Sequence, residues 1–164
     1  MGDLTEIQSV KGKVVDVLNR QIFPGRVEVE RGKIKNVVKD ESITEDCYIL
    51  PGFIDAHVHI ESSMLVPTEF ARLAVRHGTV ATVSDPHEIA NVPGVPGIEF
   101  MINNGKETCF KFYFGASSCV PATMHETAGA KITSTEIKYL FEKHGLHYLC
   151  EMMNFPGVLH QIPD

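Results

Sequence analysis

The stretch LPGFIDAHVHIESSM, residues 50–64, decides the fold and suggests the first functional hypothesis for this chain. A Pro-Gly turn opens it, Phe53 and Ile54 begin an apolar run expected to be a buried strand, and His57 and His59 follow. Side chains on a strand alternate between two faces, so both imidazoles fall on one face, their Cα atoms roughly 6–7 Å apart. Neutral imidazole binds divalent cations such as Zn, Fe and Mn. We therefore predict a metal-binding strand, against the alternative of a chance histidine pair on an exposed strand.

From residue 50 onward the pattern alternates between strand and helix, which is typical of a parallel sheet with crossover helices. The predicted strands cover residues 49–60, 79–84, 111–115 and 147–152, and the predicted helices cover 67–78, 97–105 and 134–145. We expect Ser134 to cap the last helix. Its apolar stripe of Ile137, Leu140 and Phe141 predicts a face packed on the core.

The first fifty residues have a different pattern, with partial alternation of apolar and charged residues. Predicted strands lie at 14–18, 26–30 and 33–38, and FPG at 23–25 and ERGK at 30–33 are read as hairpin signals. This part therefore predicts a half-buried antiparallel β module over residues 1–49.

Several blocks carry a resemblance to a known family. PGFIDAHVH resembles the first barrel strand of the amidohydrolase superfamily, whose members are metal-dependent hydrolases built on a (β/α)8 barrel. Further blocks resemble the adenine deaminase family within it: IESSML (60–65), VSDPHEIANV (83–92), SSCVPAT (117–123), HETAGA (125–130) and EMMNFPGV (151–158). The resemblance implies an α/β fold: the N-terminal part of a TIM-like barrel, about four β/α units over residues 50–164, preceded by a small β-sandwich-type module over 1–49. Because a complete barrel takes about 250 residues, we expect this chain to be a truncated form.

The resemblance also implies an activity, the hydrolytic deamination of adenine to hypoxanthine and ammonia in purine salvage. Its metal is a divalent pair, Mn or Fe, with Zn as an alternative. His57 and His59 are implied as ligands, and Glu151 matches the family's carboxylate that bridges two ions. The family's later ligands would lie beyond residue 164, so we expect one chain alone to build only part of the site.

Barrel enzymes place their chemistry at the C-terminal ends of strands, and polar residues follow every predicted strand here. The loop DPHE supplies the candidates for proton transfer, Glu88, His87 and Asp85, because a carboxylate or imidazole near a purine could protonate a ring nitrogen. Asp85 could equally be a turn residue before Pro86, and His87 could only hold the loop. Ser117, Ser118 and Cys119 follow the third strand, where Cys119 either lines a pocket or is a buried apolar residue. No substrate-binding residue is identified.

Composition narrows the partners and the compartment. Hydrophobic residues make up 43% and charged residues 22%, which excludes a disordered chain, and the apolar runs are too short for a membrane-spanning helix. A net charge of −6 without a Lys/Arg cluster argues against nucleic acid, while a free nucleobase such as adenine remains compatible. The N-terminus lacks a secretory signal pattern, so we expect a cytoplasmic protein with reduced cysteines.

Two alternatives remain open. One is another amidohydrolase, acting on a cyclic amide or an N-acetyl substrate, which would share the His-x-His strand. The other is a catalytically inactive fragment that self-associates, because an open parallel sheet exposes unpaired backbone groups and an apolar face. For either an enzyme or a fragment we expect a homo-oligomer.

Overall fold

The computed structural model of the chain describes residues 8–123 and 125–162. These residues belong to two compact units, Met1–Pro51 and Gly52–Asp164. In its described part the first unit contains only strands, whereas the second alternates strands with helices. No helix among the described residues combines the length and apolar character needed to cross a bilayer.

The first unit is a single four-stranded sheet. Its strands are β1 (Gln8–Asp16), β2 (Gln21–Glu30), β3 (Lys33–Lys39) and β4 (Tyr48–Ile49), in the order β3-β2-β1-β4. Strand β2 pairs antiparallel with both β1 and β3, and β4 runs parallel to β1. The antiparallel meander predicted from the alternating pattern is therefore present, with the predicted turn between β2 and β3 at residues 31–32.

The other predicted hairpin turn is wrong. Residues 23–25, FPG, lie inside β2, and the chain reverses at residues 17–20, where the Asp16 carboxylate accepts two backbone hydrogen bonds. Pro24 is tolerated in the strand because its carbonyl accepts a hydrogen bond from the Asp40 N–H at 3.0 Å, just past the last β2–β3 pair. Strand β3 ends at Lys39, opposite Gly25, so the missing N–H of Pro24 lies beyond the regular β2–β3 ladder and removes no bond from it.

The second unit is built on a parallel sheet in the order β5-β6-β7, comprising β5 (Phe53–Val58), β6 (Thr79–Ser84) and β7 (Lys111–Phe114). Its helices are α1 (Pro67–Ala74), α2 (His87–Ala90), α3 (Val95–Gly105), α4 (Ser134–His144) and α5 (Phe155–Leu159), with 3-10 turns at Ile60–Ser63 and Val75–His77. Crossover helices therefore connect each pair of parallel strands, as the alternating sequence pattern predicts.

Helix α4 shows how the helices are fixed. Its cap is Thr133 and not the predicted Ser134: Thr133 is extended, and the Glu136 carboxylate accepts its backbone N–H at 2.8 Å to complete a capping box. The predicted apolar stripe is confirmed, since Leu140 is fully buried and Ile137 and Phe141 pack on the core. That core also contains Ile60, Ile98, Met101, Ile102, Phe114, Ala116 and Val120.

The predicted fourth strand, 147–152, is reduced to one parallel bridge between Ala116 and Leu149. Strand β7 is only four residues long, so the segment meets little more than the residues just past its end. The Tyr148 hydroxyl attaches the segment further: it donates its one hydrogen to the Tyr113 carbonyl at 2.6 Å, lies 3.0 Å from the Ser84 carbonyl oxygen and accepts the Ser84 N–H at 3.1 Å. Gly115 lets the Tyr148 ring approach, because a Cβ there would stand 2.3 Å from the ring.

The prediction that Phe53 and Ile54 are buried is also wrong. Within the described residues they are 55% and 61% exposed, respectively. Both lie on β5, which among the described strands pairs with β6 alone and therefore forms an edge of this sheet.

Candidate metal centre

The two histidines of the opening stretch meet in the structure. His57 lies on β5 and His59 directly after it, and their Nε2 atoms are 3.2 Å apart. The His57 side chain is 60% exposed, whereas that of His59 is 21% exposed. Two imidazole nitrogens at this separation can serve one ion or two neighbouring ions, which is the chemistry that their spacing predicts.

The backbone of Asp85, the residue after β6, orients the His59 ring. His59 Nδ1 lies 2.9 Å from the Asp85 carbonyl oxygen. A carbonyl oxygen can only accept, so Nδ1 carries the hydrogen, and in the neutral imidazole Nε2 then keeps its lone pair. The ring therefore presents a ligand atom, Nε2, toward His57.

Glu151 approaches the histidines from the segment that follows the Leu149 bridge. Its carboxylate oxygens lie 3.3 Å from His59 Nε2, 3.8 Å from His57 Nε2 and 3.9 Å from His87 Nδ1. The Ser118 hydroxyl donates to the Glu151 carbonyl at 3.0 Å and so ties this segment to the loop after β7. The structure thus brings together all three residues predicted as metal ligands.

Asp85 and His87 join the same cluster. Asp85 Oδ2 lies 3.0 Å from His87 Nδ1, yet both atoms are buried and neither makes an aligned hydrogen bond within the described part of the chain. Burial raises the pKa of Asp85, but polar contacts with His87, Cys150 and Ser117 outweigh it and leave that pKa below its usual value. Contact with Asp85 raises the pKa of His87 against the opposing effect of burial.

These observations fit a divalent metal ion. Ligand atoms of His59, Asp85, His87 and Glu151 all lie within 4.8 Å of one another, and His57 borders the group. Imidazole nitrogens combined with carboxylate oxygens are a donor set used for Zn, Mn and Fe. Two buried donor atoms without aligned partners are what a bound cation would satisfy. The sequence predicts proton transfer for Asp85 and His87, and the structure adds both to the group of side chains whose possible ligand atoms converge.

Glu88, the third DPHE candidate, is not in this group of converging ligand atoms. Its carboxylate accepts a hydrogen bond from the Ser62 hydroxyl at 2.6 Å, in the 3-10 turn after β5, while its Oε2 is buried without a partner among the described residues. Glu61, from the same turn, accepts the Ile89 N–H at 3.2 Å, and burial raises its pKa. Hydrogen bonds to the Glu61 and Glu88 carboxylates therefore join the 3-10 turn after β5 to helix α2 after β6.

The loop after β7 contacts the cluster through a hydrogen bond to Asp85. Ser117 is completely buried and donates to Asp85 Oδ1 at 3.0 Å. Cys119 is 3% exposed and contacts the Met152 sulfur, so it packs as a buried residue, and it also borders a separate cavity of about 390 Å³. A cavity of about 250 Å³ borders the cluster and is lined by Ala56, His57, Val83, Ser84, Asp85, Tyr148, Leu149, Cys150 and Glu151. A larger cavity of about 500 Å³ lies among α3, β7 and α4, and none of the cluster's ligands lines it.

The family model of the amidohydrolases matches residues 48–155, which include every ligand of this cluster. The chain belongs to the amidohydrolase family. This amidohydrolase is 59% identical over 155 residues to an adenine deaminase of Sulfurovum sp. (strain NBC37-1), covering 94% of the chain and 29% of that protein.

Two further relatives give the same picture. An adenine deaminase of Methanosarcina mazei is 56% identical over 153 residues, covering 93% of this chain and 27% of its own length. An adenine deaminase of Borreliella afzelii is 51% identical over 154 residues, covering 93% of this chain and 28% of its own length. The amidohydrolase chain thus spans less than a third of each of these relatives.

Proposed function

We propose that this chain is part of an adenine deaminase and that residues 50–164 form the first half of its (β/α)8 barrel. The parallel strands β5, β6 and β7 and the Leu149 bridge support this, because the clustered side chains follow these strand ends, where barrel enzymes carry their sites. The identity to three adenine deaminases over nearly the whole chain supports this substrate over a cyclic amide or an N-acetyl compound.

The observation that carries the proposal is the convergence of His57, His59 and Glu151, whose ligand atoms lie 3.2–3.8 Å apart. We assign these residues as ligands of Mn or Fe, with Zn as an alternative, in a centre that is binuclear in the complete protein. A divalent metal ion at this position supplies an activated water. The side chains themselves fix the position of that ion and exclude bulk water on the Asp85 side, which is 5% exposed.

The reaction sets what the remaining residues must do. The oxygen of water bonds to C6 of adenine, the bond from C6 to the exocyclic nitrogen breaks, and ammonia leaves. One proton from water finishes on ring nitrogen N1, and the other leaves with the ammonia. We assign these transfers to His87 and Glu88 of the DPHE loop, an imidazole and a carboxylate that can each carry a proton; Glu88 Oε2 is buried and has no partner among the described residues. Asp85 holds His87 in place at 3.0 Å.

A second reading, a self-associating inactive fragment, is favoured by the edge strand β5. Its Phe53 and Ile54 side chains are more than half exposed, and an open apolar edge pairs readily with another chain. Under the main proposal we also expect a homo-oligomer, acting in the cytoplasm. Light scattering across a concentration series separates the two readings: an open-ended rise in mass supports association through β5, whereas one fixed mass supports a defined oligomer.

The test of the proposed function is ammonia release from adenine by the purified chain after reconstitution with Mn²⁺ or Fe²⁺. The chain is assayed alone and mixed with the remaining C-terminal part of the Sulfurovum adenine deaminase, which supplies the rest of a relative's barrel. We expect turnover in the mixture and its loss when the chain carries His57→Ala and His59→Ala. The matched control is His160→Ala, a histidine outside the cluster.

Two outcomes would contradict the proposal. A mixture that folds and binds metal but releases no ammonia from adenine would exclude the substrate, and hydrolysis of an N-acetyl or cyclic amide substrate by it would favour another amidohydrolase. Equal turnover by the double-histidine variant would exclude the assigned centre.

A further inference from the structure

The Ser117 hydroxyl contacts the candidate metal centre through the Asp85 carboxylate. Ser117 follows β7, is 0% exposed, and donates to Asp85 Oδ1 at 3.0 Å. It is separated from Asp85 by 32 positions in sequence, so this bond joins the loops that follow two neighbouring strands. A buried hydroxyl that donates to a carboxylate makes a directional, charge-assisted contact, which restricts rotation of the carboxylate.

The two oxygens of Asp85 have different surroundings. Oδ1 accepts two hydrogen bonds, from Ser117 Oγ at 3.0 Å and from the His87 backbone N–H at 3.1 Å. Oδ2 makes no aligned hydrogen bond within the described residues and lies 3.0 Å from His87 Nδ1. The two donors on Oδ1 therefore set the plane of the carboxylate and leave Oδ2 directed at the cluster.

Asp85 in turn holds both neighbouring imidazoles, His59 through its carbonyl oxygen and His87 through Oδ2. We infer that Ser117 is a positioning residue for the metal centre, which fixes the Asp85 carboxylate so that one oxygen faces the ligand cluster. The inference rests on the proposed metal centre, but it does not depend on adenine being the substrate. Ser117 contacts no ligand atom of the histidines or of Glu151 in the described contacts, so its effect passes through Asp85.

Ser84 provides a matched comparison. It is also buried, at 2% exposure, but its hydroxyl donates to Thr82 Oγ1 at 2.9 Å and not to any member of the cluster. Each change removes one buried hydrogen bond, and the stability cost should be larger for Ser117→Ala because its acceptor is a carboxylate. Only the Ser117 change is expected to alter metal binding.

The experiment measures Co²⁺ binding to the full 164-residue chain by its visible absorption, without adenine, for the unsubstituted chain, Ser117→Ala, Ser117→Thr and Ser84→Ala. Loss of a residue that orients a ligand typically weakens metal binding by about 10–100-fold, and we expect this for Ser117→Ala, with a shifted Co²⁺ band. Ser117→Thr keeps the hydroxyl and should recover most of the affinity, and Ser84→Ala should bind within about twofold of the unsubstituted chain. Melting temperatures recorded on the same samples show that each variant is folded.

Three results would overturn the inference: Ser117→Ala binding Co²⁺ as tightly as the unsubstituted chain, Ser84→Ala losing as much affinity as Ser117→Ala, or the unsubstituted chain binding no Co²⁺. Loss of affinity in Ser117→Ala without any adenine turnover by the reconstituted mixture would support the positioning role while counting against the proposed substrate.

Discussion

Replacing Gly115 with alanine tests the packing that carries Glu151 into the cluster. A Cβ at this position would lie 2.3 Å from the Tyr148 ring, 2.5 Å from Cys150 Sγ and 2.8 Å from a second ring carbon. The ring cannot easily move aside, because its hydroxyl is held by hydrogen bonds to Ser84 and Tyr113. We therefore expect Gly115→Ala to overpack the site.

The magnitude follows from two opposing effects. With the Tyr148 hydroxyl held in place by its hydrogen bonds, overpacking by one methyl group costs about 1–3 kcal/mol. The reduced freedom of the unfolded chain returns about 0.4–1 kcal/mol, since Gly115 does not have a positive φ. The net destabilisation should be about 1–2 kcal/mol.

Urea denaturation measures this change, and with a typical slope the midpoint should fall by about 0.5–1 M. Because residues 148–151 are displaced together, Co²⁺ affinity should fall as well. The control places Gly115→Ala in a Tyr148→Ala background, where the ring clash is absent and the cost should be smaller. An unchanged urea midpoint, or the same cost in both backgrounds, would refute the packing argument.

Three further predictions follow from other parts of the structure. Hydrogen bonds from His144, Lys143 and Tyr139 hold the pKa of Glu99 at about 2, against an ordinary 4.5. The stability that these bonds confer is therefore present above pH 4.5 and lost as the pH falls toward 2. In acid denaturation, Glu99→Gln should lose less folding stability between pH 4.5 and 2 than the unsubstituted chain. Thr133→Ala should lower the free energy of unfolding by about 0.5–2 kcal/mol through loss of the α4 cap, measured by urea denaturation beside an exposed Thr→Ala change. Glu151→Gln should weaken Co²⁺ binding at least about tenfold while leaving the melting temperature of the metal-free chain within a few degrees, and unchanged binding would remove Glu151 from the ligand set.

Long periodic segments allowed most of the second unit to be predicted. Strand β6 and helices α1, α3 and α4 lie where apolar spacing and turn residues placed them, and the His-x-His spacing correctly predicted that two imidazoles converge. These features depend on residues close in sequence, which is why one sequence suffices to find them.

The errors concern positions that backbone angles or residues distant in sequence decide. The choice between Thr133 and Ser134 as cap depends on backbone angles, and the Pro24 turn was wrong because β3 happens to end beside it. Residues 147–152 form only one bridge because the neighbouring strand β7 is short, and a hydrogen bond from the Tyr148 hydroxyl attaches the segment to β7 instead. The place of Asp85 and His87 in the ligand cluster requires β5 and β6 to be aligned, which no local pattern specifies.

The bond from His59 Nδ1 to the Asp85 carbonyl has a genetic consequence. A main-chain oxygen is common to all amino acids, so no substitution at position 85 that preserves the backbone can delete the anchor of the His59 tautomer. Asp85→Ala would remove the carboxylate that contacts His87 but keep the main-chain carbonyl that orients His59. The two duties of this residue, one carried by the main chain and one by the side chain, are therefore separable by mutation, and only the second is open to variation.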